Sequence, residues 1–303
     1  MKLPSLTIKQ LLEAGVHLGH KTFRWNPKMG KYIFGSKNSI HIIDLVQTLE
    51  MTNVALQEIY KCISAGGKIL FVSTKKQATE TIAKLAKDTS QYYVNHRWLG
   101  GMLTNWNTIS NSIKRLKKLS EDLKKENTGF TKKENLKMGI QRDKLERSLG
   151  GIADMKKIPD MIFIVDTNVE ELAVKESIKL NIPIVAIVDT NSDPTGINFP
   201  IPGNDDARRA INLYCELVKQ TILEAKQNIS IEVQENKNHK EKDEEIESKQ
   251  KNEIKSKDKI EENKIQKAKK DKFKKKEKIK TVKKISKSIL SKVKSLTSKN
   301  TDK

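Results

Sequence analysis

Short, continuous apolar runs constrain the fold of this chain more than any other feature. They cover residues 68–73 (KILFVS), 161–166 (MIFIVD) and 182–189 (IPIVAIVD). Runs of this length are typical of strands buried on both faces of a parallel sheet. Apolar residues with helical spacing come after the first run, at residues 75–87. A second such segment lies between the last two runs, at residues 170–180. Strand–helix–strand units of this kind predict an α/β fold with a parallel sheet and right-handed crossovers.

The rest of this α/β body is predicted to be made of shorter elements. Helices are expected at 7–14, 44–64 and 205–227, and short strands at 32–34, 40–43 and 92–95. Thr7 and Asp44 are the expected N-caps of the first two helices, and Asp205 or Asp206 that of the third. A segment rich in Pro, Gly and Asn, residues 190–203, is expected to be a loop.

The stretch 95–105 (NHRWLGGMLTN) joins this body to an inserted helical arm, residues 105–149. In the arm, Ile109, Ile113, Leu116, Leu119 and Leu123 recur every three or four residues. A second helix carries Leu136, Ile140, Leu145 and Leu149. Because a Gly-containing break separates two helices that each have one narrow apolar seam, we expect an antiparallel coiled-coil hairpin. The body then comprises residues 1–104 and 150–228.

Residues 229–303 differ in composition from the rest of the chain. They carry 25 Lys against 14 acidic residues, contain no Gly, and have Phe273 as their one aromatic residue. Such a segment buries too little apolar area to offset its ordering entropy, so we expect a Lys-rich, mostly disordered extension. From Lys267 onward, apolar residues keep helical spacing. This spacing is compatible with a basic helix that forms on RNA; a helix on a membrane surface is the less favoured alternative.

The charge of the chain points to a polyanionic partner. The formal net charge is +21, and the excess is shared between the body and the extension. Nucleic acid is the commonest polyanion that a protein of this charge binds. No apolar run is long enough to span a membrane, and the N-terminus lacks the apolar core of a signal peptide. Two Cys in helical patterns, Cys62 and Cys215, fit a reducing, cytoplasmic setting.

Cations interleaved with aromatic residues mark the candidate RNA-binding segments. The first is residues 21–31 (KTFRWNPKMGK), where Pro27 and Gly30 disfavour regular structure. Loops of this type suit contacts with phosphates and unstacked bases. The candidate RNA-binding residues are Arg24, Trp25, Asn26, Lys28, Lys31, Arg97 and Trp98, with Lys114, Arg115, Lys117 and Lys118 on the arm as weaker candidates. Trp98 has an equally weighted alternative as a core anchor, and most arm charges have one as a solvated surface.

The motifs of nucleotide enzymes are missing from the sequence. No Gly-x-Gly-x-x-Gly, Walker loop or Gly-x-Ser-x-Gly elbow is present, and Gly66-Gly67 precedes its strand instead of following it. We therefore expect no catalytic residues. His17 and His20 are too poor a ligand set for a metal and are expected to pack on the body. Asp189, Asp205 and Asp206 are weak candidates for a structural Mg²⁺, with loop hydrogen bonds and helix capping as the simpler alternative.

Several stretches, in order, resemble the family of the second protein of the bacterial small ribosomal subunit. They are GVHLGH (15–20), RWNPKM (24–29), IHIIDL (40–45), RWLGGMLTN (97–105), VDTNSDP (188–194) and IPGNDD (201–206). The matching region covers about residues 5–227, and several motifs in one order are more specific than any single motif. The extension lies beyond this region, so the resemblance implies nothing about it.

The resemblance implies a three-layer body of flavodoxin type with an inserted coiled-coil hairpin, and no enzymatic activity. It implies a structural component of the small ribosomal subunit, bound to small-subunit ribosomal RNA between head and body, in the cytoplasm. The implied partners are neighbouring ribosomal proteins. Among them is the mRNA-binding first protein, and members of the family help that protein to dock. We expect no homo-oligomer. No cofactor is implied. The alternative from another class is a nucleotide- or metal-binding α/β enzyme.

Overall fold

A computed structural model of the chain describes residues 4–124 and 131–229. These residues belong to one compact unit, Met1–Ile231. The Lys-rich extension, apart from its first residue, lies outside the described residues, as does the centre of the connection within the arm.

A five-stranded parallel sheet forms the centre of this unit. Its strands are β4 (Ile69–Val72), β5 (Tyr92–Val94), β6 (Met161–Ile164), β7 (Ile184–Val188) and β8 (Phe199–Pro202). Their spatial order is β5-β4-β6-β7-β8, and each neighbouring pair is parallel. This is the strand order of doubly wound sheets of the flavodoxin type. The predicted α/β class and the three predicted central strands are confirmed.

Helices cover both faces of the parallel sheet. They are α1 (Ile8–Ala14), α2 (Leu45–Ser64), α3 (Thr79–Asp88), α6 (Glu171–Lys179) and α7 (residues 208–229). One apolar layer joins one face of the sheet to α1, α2, α3 and α7, and a second joins the other face to α6 and the arm. Successive strand residues alternate between these layers: Phe71 and Phe163 face one, Leu70 and Ile162 the other. Every described helix is too short or too polar to cross a lipid bilayer.

The helix ends show why two of the boundaries were predictable. Thr7 forms a capping box with Gln10, and Gly15 ends α1 with a φ of 76°. The Asp44 carboxylate accepts the backbone N–H of Val46 at 2.9 Å and so begins α2. The predicted cap of α7 was wrong. The side chain of Asn204 accepts the backbone N–H groups of Asp206 and Ala207 just before that helix, and the Asp205 carboxylate does not cap it.

A second, antiparallel sheet of three short strands also belongs to the body. Its order is β1-β3-β2, with β1 at Leu18–Lys21, β2 at Ile33–Lys37 and β3 at Ile40–Ile43. Asn38 and Ser39 connect β2 to β3 with positive φ angles of 50° and 60°, as a two-residue hairpin turn of the right twist requires. The small sheet and the segment after β1 are tied to the parallel sheet through Thr190. Its hydroxyl accepts the N–H of His20 at 2.9 Å, and its carbonyl accepts the N–H of Asn26 at 2.8 Å.

The arm consists of α4 (Trp106–Asp122) and α5 (Lys132–Leu149), which contact each other. Ile109, Ile113 and Leu116 of α4 are buried, as is Leu149 at the end of α5. Leu136 and Ile140 are instead 67% and 61% exposed, contrary to the predicted continuous seam. The part of the seam next to the body therefore belongs to the core, and the described residues do not show a coiled coil along the whole arm.

Candidate functional site

The segment between β1 and β2 exposes its cations because two of its apolar residues are anchored. Met29 and Tyr32 are buried within a 3-10 helix, Pro27–Tyr32. The Asn26 side chain caps this helix by accepting the N–H of Lys28 at 3.0 Å. This cap and the fixed φ of Pro27 at the first turn make the segment a defined structure.

Four candidate side chains of this segment face solvent: Arg24, Trp25, Lys28 and Lys31. The Trp25 ring lies 5.5 Å from the ring of His41, centroid to centroid. The Lys31 ammonium lies 4.6 Å from the centre of the Tyr32 ring. The segment, hereafter the basic loop (residues 21–32), thus presents positive charge beside aromatic faces, as proteins that contact nucleic acid often do.

Two exposed aromatic residues belong to the same region and were not predicted as functional. Phe23 is 73% exposed, with the Arg24 guanidinium 5.5 Å from its ring centre. Phe34, on the edge strand β2, is 79% exposed. Exposed aromatic faces of this size are suited to stacking on a base or packing against a partner. Phe23 lies within the predicted segment 21–31, whereas Phe34, between Ile33 and Gly35, carries no such signal in the sequence.

Lys28 is less free than its neighbours in the basic loop. Its ammonium lies 2.7 Å from the Asp193 carboxylate and 3.0 Å from the Thr195 hydroxyl. Hydrogen bonds from Lys28 and Thr195 lower the pKa of Asp193 to about 2. A phosphate that contacts Lys28 therefore has to compete with Asp193.

The second candidate segment divides into one exposed and one buried residue. Arg97 is exposed after β5, at the carboxyl end of the parallel sheet. Trp98 is only 7% exposed, and its indole N–H donates to Glu176 at 3.1 Å. Because a buried indole offers no face to a base, Trp98 is corrected from a candidate RNA contact to a core anchor.

The arm candidates are all exposed on α4: Lys114, Arg115, Lys117 and Lys118. Arg115 donates to Gln141 at 3.4 Å and Lys117 pairs with Asp154 at 3.1 Å. Within the described residues, no ion pair involves Lys114 or Lys118. Of the four arm candidates, these two therefore have the least intramolecular competition.

A second polar site lies at the carboxyl ends of the parallel strands, where doubly wound sheets bind ligands. The chain there brings together one residue from the small sheet and five from the loops that follow strands. They are His20, Lys75, Asp166, Asp189, Asp205 and Asp206, hereafter the carboxylate cluster. Asp189, Asp205 and Asp206, the weak metal candidates, thus lie together in one cluster.

Lys75 is the central cation of the carboxylate cluster. Its ammonium lies 2.9 Å from Asp166, 2.8 Å from Asp205 and 2.7 Å from Asp206. Burial lowers the pKa of Lys75, but the attraction of Asp205 and hydrogen bonds to all three carboxylates raise it more. Lys75 is therefore held charged at neutral pH.

His20 joins the same carboxylates to the small sheet. Its Nδ1 lies 3.0 Å from Asp189 and its Nε2 lies 3.4 Å from Asp206. The hydrogen bond with Asp189 raises the pKa of His20 above 6.5, against the opposing effect of burial. The sequence prediction weighed His20 only together with His17, because the loop that holds Asp189 lies about 170 residues away.

Asp205 bears most of the electrostatic strain in this cluster. It is fully buried, and its Oδ2 atom accepts no hydrogen bond from the described residues. Burial and the nearby charges of Asp166 and Asp189 raise the pKa of Asp205 to about 7. Lys75 and the imidazole of His20 thus face four carboxyl groups, which leaves the cluster attractive to a further proton or cation.

The ligand chemistry of the cluster favours a nitrogen-and-oxygen site over an all-oxygen one. His20, Asp189 and Asp205 each offer one ligand atom, and these atoms lie within 4.8 Å of one another. Zn²⁺ accepts such a set, whereas Mg²⁺ prefers oxygen ligands and water. Asp206, the third predicted ligand, is occupied by Lys75 and His20 instead.

The same position offers little to a nucleotide. The turn after β4, where the first phosphate loop of a doubly wound sheet would lie, reads Ser73-Thr74-Lys75 and contains no Gly. The Lys75 ammonium, which could have bound a phosphate, is enclosed by carboxylates that repel one. The geometry therefore argues against the alternative of a nucleotide-binding enzyme.

Comparison with known proteins identifies the chain. Residues 11–225 match the family model described as ribosomal protein S2. "Small ribosomal subunit protein uS2" of Sinorhizobium medicae is 58% identical over 224 residues, which cover 74% of this chain and 88% of that protein. The protein of the same name from Rhodospirillum centenum is 58% identical over 228 residues, which cover 75% and 87%. The chain belongs to the ribosomal protein S2 family, whose members are structural, non-enzymatic components of the small ribosomal subunit.

Proposed function

We propose that this protein binds small-subunit ribosomal RNA, between the head and body of the subunit, through the basic loop, Arg97 and the arm. The observation that carries the proposal is the basic loop. There, Arg24, Trp25 and Lys31 are all exposed on a segment that a hydrogen bond to Thr190 ties to the parallel sheet. A fixed backbone lets these side chains meet RNA without a further ordering cost.

The binding mechanism follows from the chemistry of these side chains. Arg and Lys neutralise phosphates and release condensed counterions, so that affinity falls as salt rises. Trp25 and Phe23 offer faces on which an unstacked base can lie. No catalytic group is required, which agrees with the non-enzymatic character of the family.

The arm adds a second contact in this proposal. We infer that α4 and α5 form an antiparallel hairpin, coiled along the buried seam next to the parallel sheet, that carries Lys114 and Lys118 along RNA. The exposure of both side chains and the absence of ion pairs to them in the described residues support this.

The experiment is a salt series of binding between the full chain and small-subunit ribosomal RNA. Replacing Arg24, Lys31 and Arg97 together by Ala should weaken binding at low salt. Each lost phosphate contact should reduce the slope of log K against log salt by roughly 0.7–0.9. Lys9→Ala on α1, also an exposed cation, is the matched control and should change neither quantity. An unchanged slope in the triple variant would refute the basic loop as an RNA contact.

Sedimentation tests the assembly itself. In sucrose gradients of cell extract, the chain should travel with small subunits and leave them only at high salt. A free, low-mass peak at every salt concentration would contradict the proposal.

We propose further that this protein helps the mRNA-binding first protein to dock, and that the exposed ring of Phe34 takes part. An aromatic residue on an edge strand can pack against a protein segment while the strand edge offers hydrogen bonds. Subunits that carry Phe34→Ala should keep this protein but retain less of the first protein after a salt wash. Val54→Ala, at an exposed apolar residue of α2, is the control. Equal retention in both variants would remove Phe34 from the docking surface.

A divalent ion at the carboxylate cluster is the second candidate role. The close approach of the His20, Asp189 and Asp205 ligand atoms and the unpaired Oδ2 of Asp205 favour it. Isothermal titration of the metal-free chain with Zn²⁺ and with Mg²⁺ tests it, with Asp189→Asn as the variant that should abolish binding. Absence of heat with both ions would leave Lys75 as the cation of the cluster and make the protein free of cofactors, as the sequence suggests.

A further inference from the structure

One buried carboxylate in α6 accepts five hydrogen bonds from the loop that leads into the arm. The Oε1 atom of Glu176 accepts the indole N–H of Trp98 at 3.1 Å and the backbone N–H of Gly101 at 2.8 Å. Its Oε2 atom accepts the N–H of Leu103 at 2.9 Å and the N–H and hydroxyl of Thr104 at 3.1 and 3.2 Å. Five hydrogen bonds thus reach one side chain that is only 9% exposed.

These donors have no equivalent partner if the carboxylate is removed. Residues 98–104 form a turn in which Gly101 has a φ of 81°, and the turn points three backbone N–H groups at one place. Backbone nests of this kind bind anions. A buried N–H without an acceptor is unfavourable, so the loop and Glu176 depend on each other.

The protonation state of Glu176 agrees with this geometry. Burial raises its pKa, but the hydrogen bonds from Thr104, Leu103, Trp98 and Gly101 outweigh burial, and the pKa lies below its ordinary value. The side chain is therefore an anion at neutral pH, matched to the donors around it.

The loop is the root of the arm. The N–H of Asn105 donates to the carbonyl of Gly101 at 2.8 Å, and α4 begins at the next residue. Leu103 lies in the same apolar layer as Ile109 of α4. The other end of the arm, just after α5, is fixed by close packing of the backbone. A Cβ on Gly151 would lie 2.0 Å from the carbonyl oxygen of Tyr93, so only Gly fits there. At the start of α4, the hydrogen bonds that attach the loop 98–104 thus come largely from α6, which lies more than 70 residues away in sequence.

We propose that Glu176 is a positioning residue that sets the direction in which α4, and with it the arm, leaves the body. Its carboxylate holds the loop 98–104 in one conformation, and that conformation fixes the first turn of α4. The inference concerns the free protein, and it stands whether or not the arm contacts RNA.

The test compares Glu176→Gln with Glu171→Gln in the full chain. Gln keeps the shape of Glu but replaces one acceptor oxygen by an NH₂ group that faces N–H donors. Glu171 lies on the same helix, is exposed, and pairs only with Lys175 among the described residues. Hydrogen exchange at residues 99–105 should accelerate at least tenfold in Glu176→Gln and stay unchanged in Glu171→Gln, while β4, β6 and β7 keep their protection in both.

The direction of the arm is measured separately by electron spin resonance. Spin labels at Lys118→Cys on α4 and Lys179→Cys on α6, with Cys62→Ser and Cys215→Ala, report the distance between arm and body. Glu176→Gln should broaden or shift the distance distribution, and Glu171→Gln should not. Two results would overturn the proposal. The first is unchanged hydrogen exchange of the loop together with an unchanged spin-label distance in Glu176→Gln. The second is an equal loss of exchange protection in the central strands, which would make Glu176 a general stabiliser of the fold.

Discussion

Lys75 shows how one side chain determines whether the carboxylate cluster stabilises the fold. Because its half-buried ammonium contacts three carboxylates, two of them buried, removing it leaves negative charges facing each other. We expect Lys75→Met to lower the unfolding free energy by about 3–5 kcal/mol. The measurement is urea unfolding of the full chain. Lys76→Met, at the exposed neighbouring residue, is the control, and equal stability of the two variants would contradict the prediction.

His20 makes the attachment of the small sheet sensitive to pH. Its pKa is raised, so the folded state binds this proton more tightly than the unfolded state does. The resulting stabilisation is complete below about pH 6.5, the ordinary pKa of His, and is lost as the pH rises through the folded-state value. In EDTA, the difference in unfolding free energy between wild type and His20→Asn should therefore be larger at pH 6 than at pH 9.

The exposed His96 supplies the control for this comparison. The stability of His96→Asn is measured at the same two pH values, so that the comparison isolates the contacts of His20 with Asp189 and Asp206. A difference for His20→Asn that does not vary with pH would mean that the imidazole contributes only through its shape.

At this scale, the sequence predicted some contacts and not others for a clear reason. Asp189 and Asp205 follow strands, and carboxyl ends of parallel strands meet at one edge, so their convergence was predictable. Lys75 and Asp205 are 130 residues apart, and no local pattern reports that they form a pair. Trp98 had two equally weighted interpretations, and only the position of Glu176 decides between them.

Among the elements, the arm differs most from its prediction. Leu116 of α4 is buried and Leu136 of α5 is exposed, although both lie on predicted seams. We expect Leu116→Ala to lower the unfolding free energy by about 2–4 kcal/mol, since it leaves a cavity in the core. Leu136→Ala should change it by less than about 0.5 kcal/mol. Thermal or urea unfolding checks both, and similar losses would show that the whole seam is buried in solution.

The strands illustrate when local patterns suffice. The segments of β4, β6 and β7 are continuous apolar runs, and each was recognised. β8 was missed because Pro200 and Pro202 argue against a strand, yet β8 is at the edge of the sheet, where Pro is tolerated. β1 was missed because Gly19 and His20 interrupt any alternation. Gly19 is needed there because a Cβ would lie 2.6 Å from the Thr190 methyl group.

For the whole molecule, the described core makes a prediction about the extension. Among residues 4–124 and 131–229, all members of the two apolar layers lie between Leu6 and Ala225. A chain that ends at residue 229 should therefore melt cooperatively, within about 2 °C of the full chain, by circular dichroism. Its RNA binding should show a weaker salt dependence if the extension contributes phosphate contacts. Loss of the cooperative transition would mean that the core needs residues beyond 229.

The position of the arm within the chain also governs how the protein can fold during its synthesis. The hydrogen-bonded neighbours β4 and β6 pair Ile69 with Met161, and the complete arm is translated between them. At roughly 5–20 residues per second, several seconds pass before the second of these strands emerges from the ribosome. During that time, α4 and α5 can pair and shorten the loop that the central strands must close. Variants that weaken the contact between α4 and α5 should accordingly slow refolding more than they accelerate unfolding.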